Sequence, residues 1–327
     1  MSNLTSLKNK CAVEIEPTAP FNFDATMHKP DHFPSADNAW ATGIRWQTML
    51  WRGKPLGLKF ENRGTTRQPR VLLSVWSNER LNRDFLDALA AEIVYRCNFH
   101  LDLTEFNRRC RTDPQLGPIV RKWHGMRPAC YCSLYEYLVI VIVLQNCTVR
   151  RSVNMMQTLF ENYGTALAYD GKTLYCFWEP ERVSQVTEEE LRKLKVGYRA
   201  KSIQRVTEAF AGKQIDELEL RGKSKDEQRA ALLGLYGVGP ASVDYILSDV
   251  FHHTGALDHI SPWEQKIYSK LFYNRSPEKP VSTDRLLKLF DRRFGKYKML
   301  AVHYIWEDLW WKRKHAKIEW LEQLIRL

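Results

Sequence analysis

The stretch Leu232-Leu-Gly-Leu-Tyr-Gly-Val-Gly-Pro-Ala-Ser-Val-Asp-Tyr-Ile-Leu247 constrains this chain more than any other. A polar-apolar helical pattern runs into it from Asp226 to Tyr236, and a second runs out of it from Ala241 to Phe251. Gly237-Val238-Gly239 is therefore a tight hairpin between two short helices. The two glycines permit backbone that a side chain would crowd, while Val238 plugs the hairpin into the core. Without side chains at those positions, N–H groups at the start of the second helix are open to an anion, aided by the helix dipole. Gly237, Val238, Gly239, Pro240 and Ala241 are thus the candidate anion-contacting residues. A glycine pair between helices also occurs as an ordinary tight turn.

The chain around the hairpin changes character once. From Phe21 to Trp76, short apolar segments (Ile44 to Trp51, Leu56 to Phe60, Val71 to Trp76) alternate with glycine, proline and asparagine, the pattern of an antiparallel sheet. From Asn82 onward the period lengthens to a helical one, beginning with Phe85, Leu86, Leu89 and Ile93, and almost everything afterwards reads as helix. The expected class is α+β: an N-terminal antiparallel sheet domain with a following helix over 1–105, then a mostly helical domain over 106–327 carrying the helix-hairpin-helix at 226–251. Thr187 with Glu190 and Ser261 with Glu264 have the spacing of capping boxes, with Pro262 at the first helical position and Gly197 placed to stop the helix after Thr187. The C-terminal series Trp306, Leu309, Trp310, Ile318, Trp320, Leu321 and Leu324 reads as a core-facing stripe with a charged rim.

Composition narrows the partner. Lys and Arg number 49 against 38 acidic residues, a formal charge of +11, which favours a polyanion because each neutralised phosphate releases counterions. Seven cysteines, an odd number in a chain of 327 residues, suit reduced thiols in an intracellular setting, nucleus or bacterial or archaeal cytoplasm. Cys130 and Cys132, one residue apart with no second ligand pair, make a weak metal site. The N-terminus has no signal-peptide core and the longest apolar run, Leu138 to Leu144, is too short for a bilayer, so no membrane association is expected.

The order Leu-x-Gly-Val-Gly-Pro, a helix, then Gly255-Ala-Leu-Asp258 resembles the helix-hairpin-helix DNA glycosylases. Phe21-Asn-Phe-Asp-Ala-Thr26 with tryptophan-rich strands at Trp46 and Trp51 is similar to the N-terminal sheet domain of the 8-oxoguanine and 3-methyladenine branch. Leu144-Gln-Asn146 with Arg150 and Arg151, and Val196-Gly-Tyr-Arg-Ala200, fall where that branch has its DNA-wedge loop and a glycine turn. The likeness spans about Phe21 to Phe272. It implies a monomer that rotates a damaged nucleotide out of double-stranded DNA and cuts its N-glycosidic bond.

By the resemblance, Asn146 with Gln145 fills the gap in the base stack and Arg151 touches the orphaned base; read as local structure, Gln145 and Asn146 merely cap the helix Tyr137 to Leu144. Asp258 is the candidate for the carboxylate that stabilises charge on the sugar and orients a water. The chain departs from the family here: alignment through Glu264 to Leu271 puts the catalytic aspartate on Ser261, so either the loop His259 to Pro262 is an insertion that lets Asp258 reach the pocket, or another group, His259 the nearest, substitutes. The lysine by which some members nick the strand falls on Ala241, which implies a monofunctional glycosylase. A lyase working through another lysine, such as Lys266, and a catalytically silent DNA-binding protein are the alternatives. No cysteine follows Cys176, so no iron-sulfur cluster is implied, and the carbonyls of Leu233, Leu235 and Val238 are the implied holders of a monovalent cation. Alkylated purine leads as substrate, with oxidised or deaminated purine behind. Trp123, Tyr135, Phe177, Trp178 and Trp263 are aromatics of a kind that stacks on an electron-poor base, though each also suits ordinary packing.

Overall fold

The computed structural model describes residues 4–28 and 35–324. Among the described residues eight strands occur: β1 (Leu4–Ser6), β2 (Asn9–Ile15), β3 (Asn38–Ala41), β4 (Ile44–Trp51), β5 (Lys54–Asn62), β6 (Val71–Ser77), β7 (Thr165–Tyr169) and β8 (Lys172–Cys176). The helices before the hairpin are α1 (Phe23–Met27), α2 (Arg83–Arg96), α3 (Thr104–Cys110), α4 (Leu116–Lys122), α5 (Leu134–Leu144), α6 (Val149–Tyr163), α7 (Pro180–Val183), α8 (Glu188–Lys193), α9 (Arg199–Ala211) and α10 (Glu217–Arg221). The hairpin joins α11 (Lys225–Leu233) to α12 (Pro240–Asp249), and α13 (Pro262–Tyr273), α14 (Thr283–Phe294), α15 (Lys298–His315) and α16 (Glu319–Glu322) follow.

The N-terminal antiparallel sheet is present, in the order β2-β6-β5-β4-β3. Leu56, Leu58 and Phe60 of β5 and Val71, Leu73 and Val75 of β6 recur at every second position on one face, all fully buried in a core shared with Leu89 and Ile93 of α2, while Trp76 on the opposite face packs with Leu167 and Tyr169. Beyond residue 82 the described chain is mostly helical, as expected, with one exception. Thr165 to Cys176 forms a hairpin, β7-β8, and β1 joins it in parallel, pairing Leu4 to Ser6 with Ala166 to Ala168. This small sheet lies on the large one, where the Tyr169 hydroxyl donates to the Gln47 carbonyl at 2.9 Å and the Thr48 hydroxyl to the Tyr175 carbonyl at 2.6 Å. Leu4 to Ser6 therefore pair with a hairpin built in the middle of the chain.

Helix starts follow the local chemistry. Complete capping boxes open α5 (Ser133, Glu136), α8 (Thr187, Glu190), α11 (Ser224, Glu227) and α13 (Ser261, Glu264). The expected stop at Gly197 is displaced: α8 ends at Lys193, and Gly197, at φ +65°, turns the chain into α9. Trp306, Leu309 and Leu321 are buried together with Phe290 and Phe294 in the second helical core, as the C-terminal stripe predicts.

Candidate nucleic-acid interface and base-excision site

The hairpin is built as its glycines require. Gly237 sits at φ +83° with its α-carbon against Ser202, so that any β-carbon would run into the Ser202 side chain. Gly239 is the N-cap of α12 in extended backbone, Pro240 follows at the first position, and no atom stands within 4 Å of where a Gly239 β-carbon would be. The front of α12 is thus open to an incoming phosphate, while Val238 is 7% exposed and anchors the turn in the core.

The structure brings the Leu144-Gln-Asn146 loop directly against this hairpin. Gln145 terminates α5, and its side-chain amide donates to the Gly237 carbonyl at 2.7 Å. The Gln145 carbonyl accepts from the Arg199 guanidinium and, at 3.5 Å, from the Tyr198 hydroxyl. Gln145 is therefore committed to joining loop, hairpin and α9. Asn146 is exposed in the left-handed region, φ +47°, with its amide 3.5 Å from the Tyr198 hydroxyl. Arg150 and Arg151 lie exposed on the first turn of α6.

Two residues of this ridge escaped the sequence reading. Tyr198 is 53% exposed with Arg199 4.7 Å above its ring, and Tyr236 is 51% exposed with the Lys201 ammonium 5.0 Å above its ring. Large rings held outward beside cations suit stacking on bases and pairing with phosphates. The available signal was an aromatic residue directly beside a turn glycine in each case, at Gly197-Tyr198 and Tyr236-Gly237.

The loop after α12 is fixed rather than loose. Asp244, 1% exposed on α12, accepts the backbone N–H of both Asp258 and His259 at 2.7 Å and pairs with Arg229 at 2.7 Å. The Asp258 carboxylate meets three cations: Arg229 at 2.7 Å, Lys225 at 3.2 Å and Lys298 at 3.3 Å. Partial burial alone would raise its pKa, but hydrogen bonds and charge from Lys225 and Lys298 outweigh that and hold it below the usual carboxylate range. Asp258 is thus ionised, with much of its charge already balanced. His259 is exposed, and its backbone is held by Asp244.

Ser261 is the N-cap of α13, giving its backbone N–H to Glu264 Oε2 at 2.9 Å. Glu264, 4% exposed, also accepts from the hydroxyls of Tyr245 at 2.6 Å and Tyr268 at 3.3 Å. Above them Trp263 stacks on Trp306, ring centroids 4.9 Å apart and planes 10° apart. Tyr135, Phe177 and Trp178 are buried in the first helical core, whereas Trp263 is 37% exposed. Ala241 and Lys266 are both half-buried, on α12 and α13 respectively. Among the described residues no group of three or more His, Cys, Asp or Glu is arranged to hold a metal ion, and no helix is long and apolar enough to cross a membrane.

Comparison with known proteins adds independent support. The sequence model of the HhH-GPD superfamily of base excision DNA repair proteins matches residues 139–318, more than half the chain. A probable N-glycosylase/DNA lyase of Methanothermobacter thermautotrophicus is 26% identical over 224 residues, which cover 63% of this chain and 69% of that protein. Among solved structures, a 3-methyladenine DNA glycosylase from Archaeoglobus fulgidus superposes with a TM-score of 0.72 at 15% identity, over 90% of this chain and 98% of that one. The apo 8-oxoguanine glycosylase/lyase of Clostridium acetobutylicum superposes with a TM-score of 0.67 at 17% identity, over 94% and 99%. At such identities these two show a shared fold.

Proposed function

From its place in the HhH-GPD superfamily of base excision DNA repair proteins, to which this chain belongs, we propose that this DNA N-glycosylase removes a damaged purine from double-stranded DNA and stops at the abasic site. The observation that carries the reading is the junction of hairpin and wedge loop, fastened by Gln145 to Gly237, inside the family-matched region. The hairpin N–H groups and Arg150 grip phosphates, Asn146 and Tyr198 enter the gap left by the rotated nucleotide, and Arg151 meets the unpaired partner base. Breaking the C1′–N bond sends its electron pair out with the base; water adds to C1′ and loses a proton, leaving a hydroxyl there. Asp258 is the carboxylate proposed to stabilise the cationic sugar and take that proton, with Ser261 and His259 as the neighbouring substitutes. Ala241 offers no amine for a Schiff base, which favours hydrolysis without strand nicking. The carbonyls of Leu233, Leu235 and Val238 are proposed to hold a monovalent cation; Leu235 already accepts the Val238 N–H at 3.2 Å, so it has one lone pair to offer.

The relatives are named for both 3-methyladenine and 8-oxoguanine, and alkylated purine is the substrate we place first, ahead of oxidised or deaminated purine. The decisive assay presents duplexes with single alkylated, oxidised or deaminated bases, followed by hot alkali to reveal abasic sites. Alkylated-base release is the expected result. Tight, salt-sensitive binding with no product from any lesion would make this a silent DNA-binding protein, the outcome that Ser261 and the balanced charge of Asp258 would then explain. Asp258→Asn should slow single-turnover release at least a hundredfold while duplex affinity stays within about twofold. An unchanged rate would move the carboxylate role elsewhere.

A further inference from the structure

Four exposed arginines gather where α3, α4 and α14 meet: Arg109 on α3, Arg111 at its C-cap, Arg121 on α4 and Arg292 in the last turn of α14. Backbone contacts draw them into one belt. The Arg109 guanidinium donates to the carbonyls of Arg293 at 2.9 Å and Arg292 at 3.2 Å, and the Arg121 guanidinium donates to the Arg111 carbonyl at 3.1 Å. Those carbonyls sit at helix ends, where the last acceptors of a helix lack a partner, so Arg109 and Arg121 have a structural use. A neutral carbonyl leaves the guanidinium charge whole, however, and holds the fork in a fixed direction.

Arg111 and Arg292 have no such use. Among the described residues neither side chain makes a hydrogen bond, an ion pair or a ring contact. The acids of the same segments are committed to other cations: Asp113 to Arg293, Glu105 to Lys296 at 2.6 Å, and Asp291 to Lys298 at 2.9 Å. Asp284 lies at the opposite end of α14. The belt is therefore a local excess of positive charge that the fold does not balance.

Its position separates it from the hairpin. A β-carbon on Gly295 would stand 3.2 Å from the Arg109 guanidinium, and the carbonyl of the next residue, Lys296, accepts the Thr254 hydroxyl at 2.9 Å. Thr254 follows the C-terminal end of α12, whose ten residues span about 15 Å, so the belt sits beyond the end of α12 that is opposite Gly239. A duplex seated on the hairpin leaves it free. The rings beneath the belt, Phe106, Phe294 and Tyr297, are buried and offer no face to a nucleic-acid base. Planar guanidinium forks match carboxylates instead.

We propose that this belt docks an extended acidic segment of a partner protein, with carboxylates on Arg111, Arg292 and the outward N–H groups of Arg109 and Arg121, while the hairpin end holds DNA. Only simultaneous occupation rests on the DNA-binding reading above; the docking itself does not.

Fluorescence anisotropy of the full chain with a labelled peptide of alternating Glu and Gly, and with the same peptide carrying Gln for Glu, tests the surface. One-to-one binding is expected, at least tenfold tighter for the Glu peptide. The double variant Arg111→Glu, Arg292→Glu should weaken it tenfold or more, with thermal stability and duplex affinity nearly unchanged. Lys193→Glu with Lys213→Glu makes the same change in net charge at exposed positions outside the belt, and should weaken it no more than about twofold. Equal affinity for the two peptides, no binding, or equal losses in the two double variants would each overturn the proposal. Saturating undamaged duplex should leave peptide affinity unchanged. Displacement of the peptide by duplex would overturn the proposal by making the belt a nucleic-acid contact. A chain that binds the Glu peptide through Arg111 and Arg292 but binds no duplex would keep the docking surface and sink the DNA-binding reading.

Discussion

At the scale of single residues, the chemistry turns on which groups carry charge and which cannot. Ala241 has no nucleophile, so borohydride treatment during turnover should trap no covalent adduct; a trapped species would point to another lysine, Lys266 first. Asp258 is held below the ordinary carboxylate range, so any rate that depends on its ionised form should persist to unusually low pH, and the acid limb of the single-turnover rate checks this. His252 makes a separate, structural contribution. Its ring is packed edge-on to Tyr95 at 4.4 Å, neither ring nitrogen has a partner, and burial, reinforced by the charge of Arg221, pulls its pKa from 6.5 to about 4. Between those values the unfolded chain binds the extra proton and the folded one does not. The contribution, at most about 3 kcal/mol, is fully present above pH 6.5 and is lost as pH falls toward 4. Glu136, raised to about 7 chiefly by burial, acts with the opposite sign, stabilising below its unfolded value and fading as pH rises through 7. The difference between wild type and His252→Gln in urea unfolding at pH 4.5 and pH 7 isolates the histidine, and a difference that does not change with pH would refute it.

At the scale of elements, the hairpin and the Leu144-Gln-Asn146 loop are fastened by Gln145, whose carbonyl Arg199 ties in turn to α9. Gly237→Ala combines a positive φ with a collision against Ser202, so it should destabilise the fold by roughly 1–3 kcal/mol and cut duplex affinity tenfold or more. Tyr198→Ala should act differently, leaving thermal stability nearly unchanged because the ring is half exposed, while slowing base release at least tenfold through loss of the inserted ring. Equal rates for wild type and Tyr198→Ala would remove that residue from the wedge. Capping boxes show how much local grammar was readable: those at Thr187 and Ser261 were read from spacing, and Ser133-Leu-Tyr-Glu136 and Ser224-Lys-Asp-Glu227 have the same spacing and the same outcome.

At the scale of the whole molecule, a charge of +11 should make duplex binding strongly salt-dependent, and replacing Arg150, the phosphate-gripping arginine, by alanine should lower the log–log salt slope by about 1. A slope that stays at the wild-type value would place Arg150 off the phosphates. By itself the sequence determined the order of elements near residues in short-range contact: the helix-hairpin-helix, the N-terminal sheet, and the apolar stripe of α15, all of which follow from periodicity, turn residues and caps within a few positions. It could not determine the pairing of Leu4 to Ser6 with Ala166 to Ala168, because three residues carry too little pattern to select a partner some 160 positions away. Nor could it say that Gln145 would be consumed by Gly237, that Asp258 would be ringed by Lys225, Arg229 and Lys298, or that His28, Trp40, Trp123 and Trp311 would wall one cavity. Those contacts join distant segments, and only the packed chain fixes which side chains share a space and which charges meet.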